Sequence, residues 1–138
     1  MNRALSLPRE VAEALLAHAR AELPNEACGL LSGSIRDGTA AAFHPARNTD
    51  ASPLRYTLHP EDLVRITFDL EAAGRDLVAI FHSHPRGPAV PSATDVREAM
   101  YPEAFHLLAG VDTSPVSAAL RAWRIRDGVA SEARLSVT

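Results

Sequence analysis

Five apolar residues in a row, Leu77-Val78-Ala79-Ile80-Phe81, run directly into His82-Ser83-His84-Pro85. A strand with no polar face must be covered on both sides, so this run predicts a central strand with layers packed above and below it. Its far end carries chemistry. Side chains alternate along a strand, so His82 and His84 share a face, with Cα atoms roughly 7 Å apart. Two imidazoles so placed can converge on one ion at about 2.0–2.1 Å. Pro85, Gly87, Pro88 and Pro91 make 85–91 a stiff loop, and Ser92-Ala93-Thr94-Asp95 opens a short helix. Asp95, carried back by that loop, is the obvious third ligand. Three protein ligands leave a catalytic zinc its fourth position for water.

The rest of the chain interleaves helices and strands. Val11, Ala12, Leu15, Leu16, Ala19 and Leu23 recur at helical spacing, and Pro8 suits a first helical position, so 8–23 reads as a helix. Residues 26–35 read as a buried strand whose glycines permit close backbone approach. Asp37-Gly38 is a hairpin turn leading to a returning strand over 39–45. A loop over 48–53 precedes a short strand at 55–58. Pro60 opens a second helix to about Ala73, stopped by Gly74. A short helix is expected from Ala93 to Met100 and a strand from Phe105 to Val111. A further strand over 117–126 turns at Asp127-Gly128 into a last one ending at Val137. The irregular interleaving predicts an α/β (α+β) fold, a curved central mixed sheet flanked by helices.

Composition narrows the class. The chain has 138 residues, 46% of them hydrophobic, which fits one globular domain spanning 1–138. A formal charge of −3 gives no electrostatic case for nucleic acid. One cysteine excludes an internal disulfide framework and fits a reducing, cytoplasmic setting. The N-terminus lacks the apolar segment of a signal peptide, and no stretch is long enough to span a membrane. All fourteen basic residues are arginine, for which biased codon usage alongside the many alanines is the plain explanation, ahead of any gain from having no side-chain amine to be conjugated.

The motif has bland readings. Ser92-Ala93-Thr94-Asp95 is also a helix capping box, which accounts for both residues without a metal. The readings coexist, because a cap holds the aspartate rigidly beside the strand end, as a ligand requires. His18 reads as a surface helix position and His59 as a helix flank. His44 and His106 read as structural. Cys28 lies in an apolar strand and reads as a small hydrophobe, although it shares strand parity with Glu26.

His82, His84, Ser92 and Asp95, with Glu26 upstream in Glu26-Ala27-Cys28-Gly29-Leu30-Leu31-Ser32-Gly33, resemble the JAMM (MPN+) metalloprotease family. The likeness covers nearly the whole chain and is strongest to compact prokaryotic members acting on ubiquitin-like and sulfur-carrier proteins. It implies the JAMM/MPN, cytidine-deaminase-like architecture. It implies that His82, His84 and Asp95 bind one zinc with water as fourth ligand. Glu26 would shuttle the proton and Ser92 would donate to the oxyanion. It further implies cleavage after the C-terminal Gly-Gly of a ubiquitin-fold or sulfur-carrier partner, while the charge and the lack of a spanning stretch leave no part for nucleic acid or a membrane. Two other readings share the fold: a non-catalytic MPN interaction module, and a protein like the DNA-repair-associated RadC family. Only nine residues, 96–104, separate Asp95 from the strand at Phe105, which leaves little room for a linkage-selecting insertion.

Overall fold

The computed structural model describes residues 4–113 and 118–138. In chain order the elements are β1 (Ala4–Leu7), α1 (Arg9–Ala21), β2 (Cys28–Ser34), β3 (Thr39–Ala46), α2 (Pro60–Ala72), β4 (Asp76–His84), α3 (Ala93–Arg97), β5 (Phe105–Gly110), β6 (Leu120–Arg126) and β7 (Val129–Val137). The strand order is β1-β3-β2-β4-β5-β6-β7, and β1 pairs with β7 as well, so the curved sheet closes on itself. It is mixed: β4 runs parallel to β5 and antiparallel to β2.

β4 is the central strand that its apolar run demands. On one face Ala79 and Phe81 pack with Val11, Leu15 and Ala19 of α1. On the other, Ile80 packs with Ile66 and Leu70 of α2. Alternation then puts His82 and His84 on the α2 side. Burying one Leu- or Phe-sized side chain is worth about 1.5–3 kcal/mol, so the two layers together fix which way the strand faces. The two glycines of β2 serve close approach. A Cβ on Gly29 would stand 2.6 Å from the His44 carbonyl oxygen, and one on Gly33 would collide with the Thr39 carbonyl.

α2 is capped by His59, whose ring accepts the Glu61 N–H at 3.2 Å. Its buried Asp62 takes three hydrogen bonds from Arg47, through the main-chain N–H, Nε and Nη2. Those bonds hold the Asp62 carboxyl well below the usual carboxylate range. They also tie the end of β3 to α2 and set the start of the 47–59 segment that crosses the site.

Several expectations are corrected. β1 is a strand that the N-terminal residues conceal by brevity: four residues, of which Leu5 and Leu7 are buried. By bridging β7 and β3 it closes the sheet. Residues 55–58 form no strand; Leu58 makes an isolated bridge with Asn48. α3 stops at Arg97, not Met100. The expected start of β6 at Ser117 lies outside the described residues.

Candidate metal centre

His82 and His84 each bring Nε2 to 3.1 Å from the same oxygen, Asp95 Oδ2. One ligand atom from each of the three residues lies within 4.8 Å of the others. The expected trio is therefore assembled. Each partner is held in place. The His84 Nδ1–H donates to the Pro88 carbonyl at 3.0 Å, which leaves Nε2 to face Asp95, with a proton between them in the metal-free protein and a lone pair for a cation once that proton is lost. His82 is buried, and the Tyr56 ring stacks on it with centroids 4.5 Å apart and 21° between planes. Asp95 is fixed by the capping box: Ser92 N–H donates to Oδ2 at 2.9 Å, and Asp95 N–H donates to Ser92 Oγ at 3.0 Å.

The electrostatics suit a cation. Burial works against ionisation of Asp95, yet the hydrogen bonds from both histidines outweigh it and hold the carboxyl well below its usual range. Burial lowers His82. Burial also opposes protonation of His84, but Asp95 and the Pro88 carbonyl more than offset it and raise that pKa. Lone pairs of two imidazoles and a carboxylate converge, and either protons or a cation must lie among them. Two nitrogens and one oxygen form a donor set that catalytic zinc uses. The residues present therefore fit a zinc ion.

Glu26 lies beside this group. Cys28 pairs with His82 across β2 and β4, and Ser83 N–H donates to the Ala27 carbonyl, so two residues further the pairing sets Glu26 opposite His84. The side chain is buried, and its Oε1 has no hydrogen-bond partner. Burial pushes its pKa up from 4.5 to about 7; His84 pulls it down, and Asp95 adds to the rise. A carboxyl poised near neutrality can accept and return a proton at working pH. Ser92 uses a lone pair for its cap, so its O–H proton is still available to a developing negative charge.

Sequence reasoning passed over the residues that hold Glu26. Its N–H donates to the Ser52 carbonyl at 2.8 Å, and its carbonyl accepts from Asn48 Nδ2 at 3.1 Å. The next N–H, on Ala27, donates to buried Ser83 Oγ at 2.8 Å. Ser83, the middle residue of His-Ser-His, is thus a clamp on the Glu26 segment. A small polar residue inside an apolar strand was the signal for it. Tyr56 gave none, because its segment reads as an ordinary strand. A cavity of about 310 Å³ opens beside Asp95, walled by Tyr56, Leu58, Leu63, Ile80, Met100 and His106.

The other histidines divide. His59 flanks α2, as its position implies. His18 is not a free surface residue: its ring packs on Phe43 and its Nε2 lies 3.2 Å from the Cys28 carbonyl. His44 pairs with Ser32 Oγ at 2.8 Å, a structural role. His106 is buried on the cavity wall near His82, and burial lowers its pKa to about 4, so it is neutral there. Cys28 is buried with Sγ 3.5 Å from the Arg47 carbonyl, and burial pushes its thiol up to about 12. It is an inert hydrophobe and no nucleophile.

Fold and site together define a JAMM-type metalloprotease domain. The chain belongs to the family of prokaryotic homologs of the JAB domain, whose model matches residues 8–126. It is 40% identical over 113 residues to a desampylase of Haloferax volcanii, covering 78% of this chain and 81% of that one. It is 34% identical over 133 residues to the CysO-cysteine peptidase of Mycobacterium tuberculosis, covering 96% of this chain and 90% of that one. Among solved structures, a protein from Desulfitobacterium hafniense superposes with a TM-score of 0.86 at 32% identity, over 97% of this chain and 92% of that one.

Proposed function

We propose that this chain is a zinc-dependent peptidase or isopeptidase that hydrolyses the bond after the C-terminal Gly-Gly of a ubiquitin-fold or sulfur-carrier protein. One observation carries the reading: His82 Nε2 and His84 Nε2 both meet Asp95 Oδ2 at 3.1 Å, beside a buried Glu26 whose pKa is near 7. His82, His84 and Asp95 would hold one zinc. When bound, the metal supplies Lewis acidity and brings the pKa of water down to about 7.

The chain's own groups do the rest. Glu26 takes the proton of the attacking water as the carbonyl carbon becomes tetrahedral, and later gives it to the leaving amine as the C–N bond breaks. The Ser92 hydroxyl donates to the oxygen on which charge develops. Tyr56 walls the cavity beside Asp95, and substrate glycines bring main chain close without a side-chain clash. The relatives named desampylase and CysO-cysteine peptidase support a conjugate or carrier substrate. Organisation as one domain over 1–138 and a cytoplasmic setting belong to the same proposal. In support, the cysteine is buried and unpaired, and no helix among the described residues is long and apolar enough to cross a membrane.

The test is metal content against ligand substitution. Purified protein should carry about one zinc per chain, with chelation abolishing turnover. His82→Ala, His84→Ala and Asp95→Ala should each lower occupancy. Full turnover by the metal-free protein would end this reading.

A further inference from the structure

The 85–91 loop, which carries the chain from the ligands of β4 to Asp95, is gripped at two consecutive carbonyls. Pro88 O accepts from His84 Nδ1–H at 3.0 Å. Ala89 O accepts from the indole Nε1–H of Trp123 at 2.9 Å, in a buried hydrogen bond. Trp123 stands on β6, two strands away from β4, and is itself buried. It packs with Ala89 and Leu108 in a small cluster separate from the two main cores. The loop also lies against bare backbone. A Cβ on Gly110 would stand 3.1 Å from the Gly87 carbonyl oxygen and 3.2 Å from the Ala89 nitrogen. Ala89 O is thus fixed by a donor from below, and its neighbouring peptide, whose oxygen is Pro88 O, cannot turn freely.

We infer that Trp123 is a positioning residue for the metal site. Its N–H sets the Ala89 carbonyl, the adjoining Pro88 carbonyl then holds His84 Nδ1–H, and His84 Nε2 is kept in the orientation and tautomer that a cation needs. The inference rests on the zinc reading above for its metal arm and on hydrogen bonding alone for its other arm. Partners of a ligating imidazole's second nitrogen are worth about 10–100-fold in metal affinity, and Trp123 acts one step behind such a partner.

The experiment replaces Trp123 with β-(3-benzothienyl)alanine, which keeps the bicyclic shape and removes the donor; Trp123→Phe is the genetically simple companion. Zinc affinity is read by competition with a chromophoric chelator. Exchange of the His84 Nδ1 proton is read by imidazole ¹⁵N NMR on the metal-free protein, and its thermal midpoint is recorded. Ile125→Val, a buried β6 substitution that leaves the Trp123 N–H in place, is the control for simple loss of stability. The expected result is zinc affinity weaker by about tenfold, the low end of the range for direct partners, together with faster His84 Nδ1 proton exchange. The benzothienyl protein should unfold near the wild-type temperature, and Ile125→Val should keep wild-type zinc affinity. Wild-type zinc affinity and unchanged His84 proton exchange in the benzothienyl protein would overturn the inference. Wild-type protein that takes up no zinc would overturn the metal reading instead, and the proton-exchange arm would still decide the role of Trp123.

Discussion

The side-chain amide of Asn48 donates to the main-chain carbonyl of Glu26 at 3.1 Å. The same amide satisfies all of its hydrogen-bonding groups. Nδ2 also donates to the Arg55 carbonyl, and Oδ1 accepts from the N–H groups of Asp50 and Thr57. One residue therefore folds the 48–57 loop and fastens it to the strand entry that bears the candidate base. Asn48→Ala should lower stability by about 1–3 kcal/mol, since several net hydrogen bonds of about 0.5–1.5 kcal/mol each are lost. It should lower kcat more than it raises KM, with zinc content unchanged. Thermal unfolding, kinetics and metal analysis on one preparation check all three.

Glu26→Gln separates the proton step from metal binding. The amide is nearly isosteric and cannot accept the proton, so turnover should fall by about 10²–10⁴ while zinc is retained. Loss of zinc in this variant would make Glu26 a ligand.

The same residue sets a pH dependence. Catalysis needs the carboxylate, so the rate should climb as pH rises toward about 7, and a bound dication shifts the midpoint lower by favouring the charged form. Stability of the metal-free protein moves the other way. The folded pKa, about 7, lies above the ordinary 4.5, so the folded state binds the proton more tightly. The stabilisation is full below 4.5 and is lost as pH rises through about 7, on the order of 3 kcal/mol. Glu26→Gln should flatten this slope in denaturant titrations run between those two values.

Ser92 has two separable roles. Glycine is nearly as good an N-cap as serine, costing only a few tenths of a kcal/mol, yet it has no hydroxyl. Ser92→Gly should therefore lower kcat by about 10²–10³ with little loss of stability. An unchanged rate would leave Ser92 as a cap alone.

The sheet, its two main helices and the grouping of His82, His84 and Asp95 were legible because each rests on a local pattern, whereas Glu26 was reached only through the family resemblance. The apolar run into His82-Ser83-His84 fixes a doubly covered strand, and Ser92-Ala93-Thr94-Asp95 fixes a capped helix start. What was not legible depends on distant partners. β1 is four residues long and becomes a strand only by pairing with β7, more than a hundred positions away. Tyr56 looks like a strand residue until the fold lays its ring on His82. The tie from Trp123 to Ala89 joins residues 34 apart in sequence. His18 reads as exposed because nothing local shows that β2 and β3 pass beneath α1.

The site is expected to cut after a terminal glycine of a ubiquitin-fold carrier. This cleavage is tested most directly by intact-mass analysis of a sulfur-carrier protein fused through its Gly-Gly terminus to a short peptide, incubated with the zinc-loaded protein. The expected result is release of the peptide with a carrier mass ending at the last glycine, and no cleavage when that glycine is changed to valine. Equal cleavage of the valine form, or casein cut faster than the fusion, would contradict it.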